Sequence, residues 1–196
     1  MKIIGLSGTN GSGKDTVGHM LADKYGYLNA SATNMLLVGL KERGWPIDRE
    51  HKAKLSAEWR RERGMGVIVD MAVDMFEAVP GQYKGIVVSS LRHPGEVERV
   101  HELGGVVIWT DADPQIRYDR IQANLHERID THHEHEKTFE EFLAEQEREM
   151  HPVGDSATLN MAAVKETADI FLDNNGNDIS VFRDLAEATL KDRNVL

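Results

Sequence analysis

The chain contains no cysteine, which excludes a disulfide framework and any thiol chemistry. It is also short of basic charge. Its 23 lysines and arginines face 33 aspartates and glutamates, for a formal net charge of −10. A general nucleic-acid surface would be basic, so any phosphate-bearing ligand must be held by local positive charge. Long hydrophobic runs are missing too: no stretch is apolar for the ~20 residues that a membrane-crossing helix needs. No internal repeat is present. A strand-like run begins almost at the first residue, which leaves no room for a signal peptide, and the expected location is the cytoplasm.

What is present suffices for one folded unit. The 196 residues are 40% hydrophobic, enough for a single compact α/β domain with a small inserted lid or cap. Short β-type runs recur at Ile3–Leu6, Ile86–Val88, Val106–Trp109 and Ile170–Leu172. Between them lie stretches with helical spacing: Val67, Ile68, Met71, Met75 and Val79; Val97 and Val100; Ile116, Ile121 and Leu125; Val181, Leu185 and Ala188. Strands separated by helix-length segments predict a parallel, doubly wound sheet. The segment 31–63 is helical in pattern, broken at Gly44-Trp45-Pro46 and highly charged toward its end. The segment 124–137 is polar and aperiodic, and reads as a lid or a solvated loop.

The most informative stretch is Gly8-Thr9-Asn10-Gly11-Ser12-Gly13-Lys14-Asp15-Thr16. It follows an apolar run and leads into a helical pattern of Val17, Met20, Leu21 and Tyr25. That context, strand then glycine-rich loop then helix, makes the GxxxxGK string a phosphate site. Small residues let successive N–H groups point inward as a nest, the helix adds the positive end of its dipole, and Lys14 reaches the terminal phosphates. The usual loop continues with Ser or Thr, whose hydroxyl ligates Mg²⁺; this chain has Asp15 there, with Thr16 next. A carboxylate is a strong ligand for a hard cation, so Asp15 is assigned the metal. Its other reading is a favourable first-turn charge.

With these residues the chain resembles the nucleoside-monophosphate-kinase-like branch of P-loop proteins over nearly its whole length. It resembles in particular small P-loop proteins of adenylate-kinase-like and dephospho-CoA-kinase-like type, and its GKDT loop is similar to that of phage deoxynucleotide monophosphate kinase. The residues that carry the likeness are the loop, Val87-Val88-Ser89-Ser90-Leu91-Arg92, Glu96-Val97-Glu98 and Arg117-Tyr118-Asp119-Arg120-Ile121. They continue with Phe139-Glu140-Glu141-Phe142, Arg148-Glu149, Ala168-Asp169 and Asp173-Asn174-Asn175-Gly176.

The resemblance implies a three-layer P-loop NTPase fold in one domain, 1–196, with a helical acceptor-binding insertion at 31–80 and a lid at 124–137. It implies a phosphotransferase that uses ATP and Mg²⁺. Gly8, Asn10, Gly11, Ser12, Gly13, Lys14, Asp15, Thr16 and Asn174 would hold the nucleotide, and Asp15 the metal. Arg60 and Arg92 would meet the acceptor, while Arg120 and Arg128 close over the transferring group. Arginine forks on both sides suit phosphoryl transfer between anions.

The likeness departs from the family in three places. Ser89 stands where an acid usually organises Mg²⁺, which suggests that the carboxylate has moved to Asp15. Leu37 and Asn124 stand where further arginines are common. The expected acceptor is a nucleoside or deoxynucleoside monophosphate, with dephospho-CoA as the alternative. A nucleotide-binding switch or ATPase with a macromolecular partner is the rival class. The expected state is a monomer or homodimer away from membranes. Asp111 and Asp113 precede Pro114 and read as helix caps, with a metal role for Asp111 as the alternative. The group His132-His133-Glu134-His135 has no pair at helical i, i+4 spacing and reads as a solvated loop.

Overall fold

The computed structural model describes residues 1–124 and 137–196. Its centre is a parallel sheet of five strands in the order β2-β3-β1-β4-β5. These are β1 (Lys2–Gly8), β2 (Tyr27–Ser31), β3 (Gly85–Ser89), β4 (Val106–Asp111) and β5 (Ile170–Asp173). Central strands of a parallel sheet are covered on both faces, so they read as continuous apolar runs. Accordingly β1 and β3 are buried along almost their full length.

Side chains alternate between the two faces. Ile3, Ile86, Val88, Val107 and Trp109 pack with α4 (Val67–Glu77), α5 (Pro94–Glu102) and α8 (Met161–Glu166). Ile4, Leu6, Val87, Ile108, Ile170 and Leu172 pack against α1 (Lys14–Tyr25) and α9 (Ile179–Asp192). Apart from α1 and α4, the helices start on side-chain caps that satisfy otherwise orphaned N–H groups. Asp48 caps α3 (Arg49–Arg63), Asp113 with Pro114 starts α6 (Pro114–Ala123), and a Thr138–Glu141 capping box starts α7 (Phe139–Met150). The span 31–80 holds α2 (Ala32–Arg43), α3 and α4 without an interposed strand. No helix among the described residues is long and apolar enough to cross a membrane.

Two sequence expectations are corrected. β2 has no strand signature in its YLNAS segment, where Asn29 interrupts the apolar pattern. It forms by pairing with β3 as an edge strand. On α9 the buried stripe is Phe182, Ala186 and Leu190, whereas Val181 and Leu185 stand 62% and 46% exposed. Both stripes have helical spacing and differ only by a rotation of one residue, so periodicity alone does not choose between them. The expected lid falls mostly on 125–136, outside the described residues, as do Arg128 and the histidine group.

Candidate active site

The strand order reverses at β1, between β3 and β4, which is where open parallel sheets bind ligands. The glycine-rich loop leaves the carboxyl end of β1 at this point. Gly8 has φ 140° and a Cβ there would run into the Thr110 carbonyl, while Gly13 has φ 99° and a Cβ would lie 2.6 Å from Asn174 Nδ2. Only glycine allows this path. The loop is pinned from outside. Thr9 Oγ1 donates to Asp111 Oδ1 at 2.7 Å, Ser12 Oγ to the Thr9 carbonyl at 2.7 Å, and Asn174 Nδ2 to the Ser12 carbonyl at 3.0 Å. Arg117 Nη1 holds the Asn10 carbonyl at 3.3 Å.

α1 begins on Gly13 with no capping side chain, so its first-turn N–H groups are left for a ligand. Lys14 Nζ rests on the carbonyls of Gly8 and Thr9, at 3.0 and 2.7 Å. Asp15 stands exposed in the first turn of α1. Ser89 is buried and donates to Asn29 Oδ1 at 3.2 Å, tying β3 to β2.

Asp111 is part of the loop's framework. Burial pushes its carboxyl up, but hydrogen bonds from Thr9, the Ala112 N–H and Trp109, with the Lys165 ammonium, outweigh that and hold it below the usual range. It is not the cap of α6, a place taken by Asp113.

The arginines expected in the site separate into distinct environments. Arg92 lies just after β3. Its turn is set by Ser90 at φ 68° and by the Leu91 carbonyl, which accepts from Ser7 Oγ at 2.7 Å. Its Nη1 reaches Glu149 Oε1 at 2.6 Å. Arg60, by contrast, is only 3% exposed and pairs with Glu96 at 2.8 Å, with further bonds to Ser56 Oγ and the Ala157 carbonyl. It is not among the residues that line the cleft beside the loop described below.

Arg120 Nη2 donates to the Gly176 carbonyl and to Asn174 Oδ1, and its Nη1 is buried with no hydrogen-bond partner among the described residues. Burial pulls its pKa down. Arg117 is 1% exposed and also donates to the Ala112 carbonyl and to Gln146 Oε1, so it fastens the loop to α6 and α7.

Beside the loop is a narrow cleft of about 10 Å³, room for about one water, lined by Thr9, Asn10, Arg49, Glu145, Gln146 and Glu149, among others. Arg49 Nη1 meets Glu145 Oε2 at 3.0 Å and Glu149 Oε1 at 3.3 Å. Burial would push the Glu149 carboxyl up, but Arg92, Arg49 and the more distant Lys14 hold it below the usual range. Sequence reasoning assigned no role to Arg49, Glu145 or Glu149. A signal existed: Phe142, Glu145 and Glu149 recur at helical spacing, so α7 carries acids onto its buried stripe, where acids seldom lie unpaired.

No family model matches the chain, and no curated protein sequence matches it. Solved structures do. Shikimate kinase from Bacteroides thetaiotaomicron has a TM-score of 0.55 at 14% identity, over 99% of this chain and 98% of that one. Shikimate kinase from Acinetobacter baumannii in complex with shikimate gives 0.53 at 16%, over 96% and 90%. TT1252 from Thermus thermophilus gives 0.54 at 20%, over 97% and 96%. The chain has the P-loop kinase fold. At these identities the likeness extends to architecture alone, and the site must be argued from its own residues.

Proposed function

We propose that the chain is a small-molecule kinase that moves the γ-phosphoryl group of ATP to an anionic acceptor bound on the side of the loop where Arg49 and Glu149 stand. The observation that carries this is a shared wall. Thr9 and Asn10 belong to the phosphate loop and also line the cleft that holds Arg49 and Glu149, with Arg92 paired to Glu149. Loop amides and Lys14 would take the β- and γ-phosphates, and the unpartnered Nη1 of Arg120 suits a nucleotide acceptor atom. Arg92 and Arg49 would hold the acceptor's charge; Arg60 has no part in it. Positioning and charge stabilisation supply the catalysis.

Mg²⁺ would be held by Asp15 and Thr16. Among the described residues no cluster of three acids or histidines could cage an ion, but Mg²⁺ keeps waters and takes phosphate oxygens, needing only one or two carboxylates. When bound it would neutralise phosphate charge. The resemblance of the sequence favours a nucleoside monophosphate as acceptor, with dephospho-CoA next.

The test is thermal. Mg·ATP at a hundred times its Kd should stabilise the fold by about 2.7 kcal/mol, roughly 5–10 °C for a domain of this size. Lys14→Ala should abolish most of that shift and leave the unliganded melt nearly unchanged. No shift with any nucleoside triphosphate would sink the reading. ATP turnover that rises only with a protein or RNA would favour a switch instead.

A further inference from the structure

We propose that the chain forms a two-fold dimer through the β5 edge of its sheet, with β5 antiparallel to β5 of a second copy and each α9 packed beside the other. The interface does not depend on the chemistry of the phosphate loop.

The sheet ends on β2 at one side and on β5 at the other. Open edges invite pairing with another chain, and natural proteins blunt them with cover, charge, proline or bulges. The β2 edge is covered: each of its residues is buried or half-buried, and α2 and α4 lie against it. The β5 edge is bare. Its sequence Ile170-Phe171-Leu172-Asp173 holds no lysine and no proline, and Phe171 stands 55% exposed. No strand among the described residues pairs with its outer side.

The helix α9 adds apolar surface to the same edge. Phe182, Ala186 and Leu190 turn down toward Ile170 and Leu172. Glu187 points to α1, where its carboxylate takes Lys24 Nζ at 2.5 Å and Tyr25 Oη at 2.7 Å. At 3.6 residues per turn, Val181, Leu185 and Ala188 fall on the remaining side, away from α1 and toward the outer edge. Val181 is 62% and Leu185 46% exposed, and Ala188 is exposed as well. Their spacing is that of a helix seam, yet within one chain this seam faces solvent.

A second copy is the occupant that satisfies strand and helix together. A two-fold axis at this edge, perpendicular to the sheet, sets the two β5 strands antiparallel, so that they can exchange backbone hydrogen bonds. The same axis lays the two α9 helices side by side on one face, seam against seam. Because Ile170 and Leu172 face α9, Phe171 projects from the opposite face and covers the join from there. Such an interface is isologous and closes at two chains. The area agrees. Phe171, Val181, Leu185 and Ala188 together expose on the order of 300 Å². A standard interface takes about 800 Å² from each partner, a little over half of it apolar. The strand edge and the polar rim of α9 supply the remainder.

The test is the oligomeric state of the full chain. Sedimentation velocity over a roughly hundredfold range of concentration should show monomer passing into dimer and stopping there. Leu185→Glu puts a charge at the centre of the seam. Counted twice by the two-fold axis, it should weaken the dimer by roughly a hundredfold or more. Phe171→Lys should act in the same direction from the strand. Both residues are partly exposed, so each variant should melt, when dilute, where dilute wild type melts. The wild-type melt should rise with protein concentration, and that of Leu185→Glu should not. Val153→Glu, at a fully exposed apolar residue on another surface, should keep the dimer.

A wild type that stays monomeric at the highest concentration overturns the proposal and leaves the edge to a different partner. So does a dimer that keeps its affinity in both Leu185→Glu and Phe171→Lys, or an assembly that grows past two chains.

Discussion

Two arginine–glutamate assemblies among the described residues, the pair of Arg60 with Glu96 and the group of Arg92, Arg49 and Glu149, differ in burial. In the first, Glu96 Oε1 receives Arg60 Nε and Nη2, at 3.2 and 2.8 Å, while Oε2 receives the backbone N–H groups of Arg92 and His93. The pair is 3% and 1% exposed. In the second, Arg92 and Glu149 are 32% and 19% exposed, and Glu149 Oε1 also takes Arg49 at 3.3 Å. A saturated buried network has no capacity left for a ligand and serves as scaffold. A partly exposed one beside the loop is the kind that the proposed acceptor would draw on, its arginines exchanging Glu149 for a bound anion. The two are adjacent through Arg92, whose backbone belongs to the scaffold and whose side chain belongs to the site.

The sharpest way to break this contrast is to delete the scaffold arginine. Arg60→Ala leaves Glu96 buried and uncompensated, which should cost about 3–5 kcal/mol. For a domain of this size that lowers Tm by roughly 6–20 °C, read by calorimetry without ligand. A loss as small as that of a surface pair would mean the network is not a scaffold.

Lys14→Ala comes next. It should remove the stabilisation of about 2.7 kcal/mol conferred by saturating Mg·ATP while sparing the unliganded melt, as thermal scans with and without nucleotide would register.

Arg92→Ala sharpens the contrast from the other side. Its partly exposed pair contributes at most about 1 kcal/mol to folding, so the melt should barely move. The KM for the acceptor should rise by about tenfold or more, with ATP affinity retained. A large fall in Tm together with an unchanged KM would move Arg92 to the scaffold.

The smallest effect concerns acid pH. Glu187 joins α9 to α1, and hydrogen bonds from Lys191, Lys24 and Tyr25 lower its pKa from 4.5 to about 2. A depressed folded-state value contributes stability above the unfolded pKa, and that contribution is lost as pH falls through the folded one. Glu187→Gln should therefore shallow the decline in Tm between about pH 4.5 and pH 2 and leave activity at neutral pH unchanged.

The same contrast explains what could be read in advance. Strands β1, β3, β4 and β5 announced themselves because buried parallel strands need apolar runs; β2 did not, since an edge strand with Asn29 carries no such run. The resemblance put Arg92 on the acceptor side, and the structure pairs it with Glu149 of the cleft wall. Arg60 and Arg49 could not be told apart, since a helical charge pattern says nothing about which charges the rest of the chain will cover.

The path of the glycine-rich loop was determined by the sequence alone. It depends on local backbone freedom at Gly8 and Gly13, a property that neighbouring residues settle among themselves. The alternation of strands and helices was local in the same sense. Only the tertiary structure decided which charges meet. Arg49 and Glu149 stand 100 positions apart, and they meet where the start of α3 and the end of α7 both line the cleft beside the loop. Identical guanidinium groups became a scaffold at Arg60, a loop fastener at Arg117 and a cleft wall at Arg49, through burial and through the partners that the fold delivers to each.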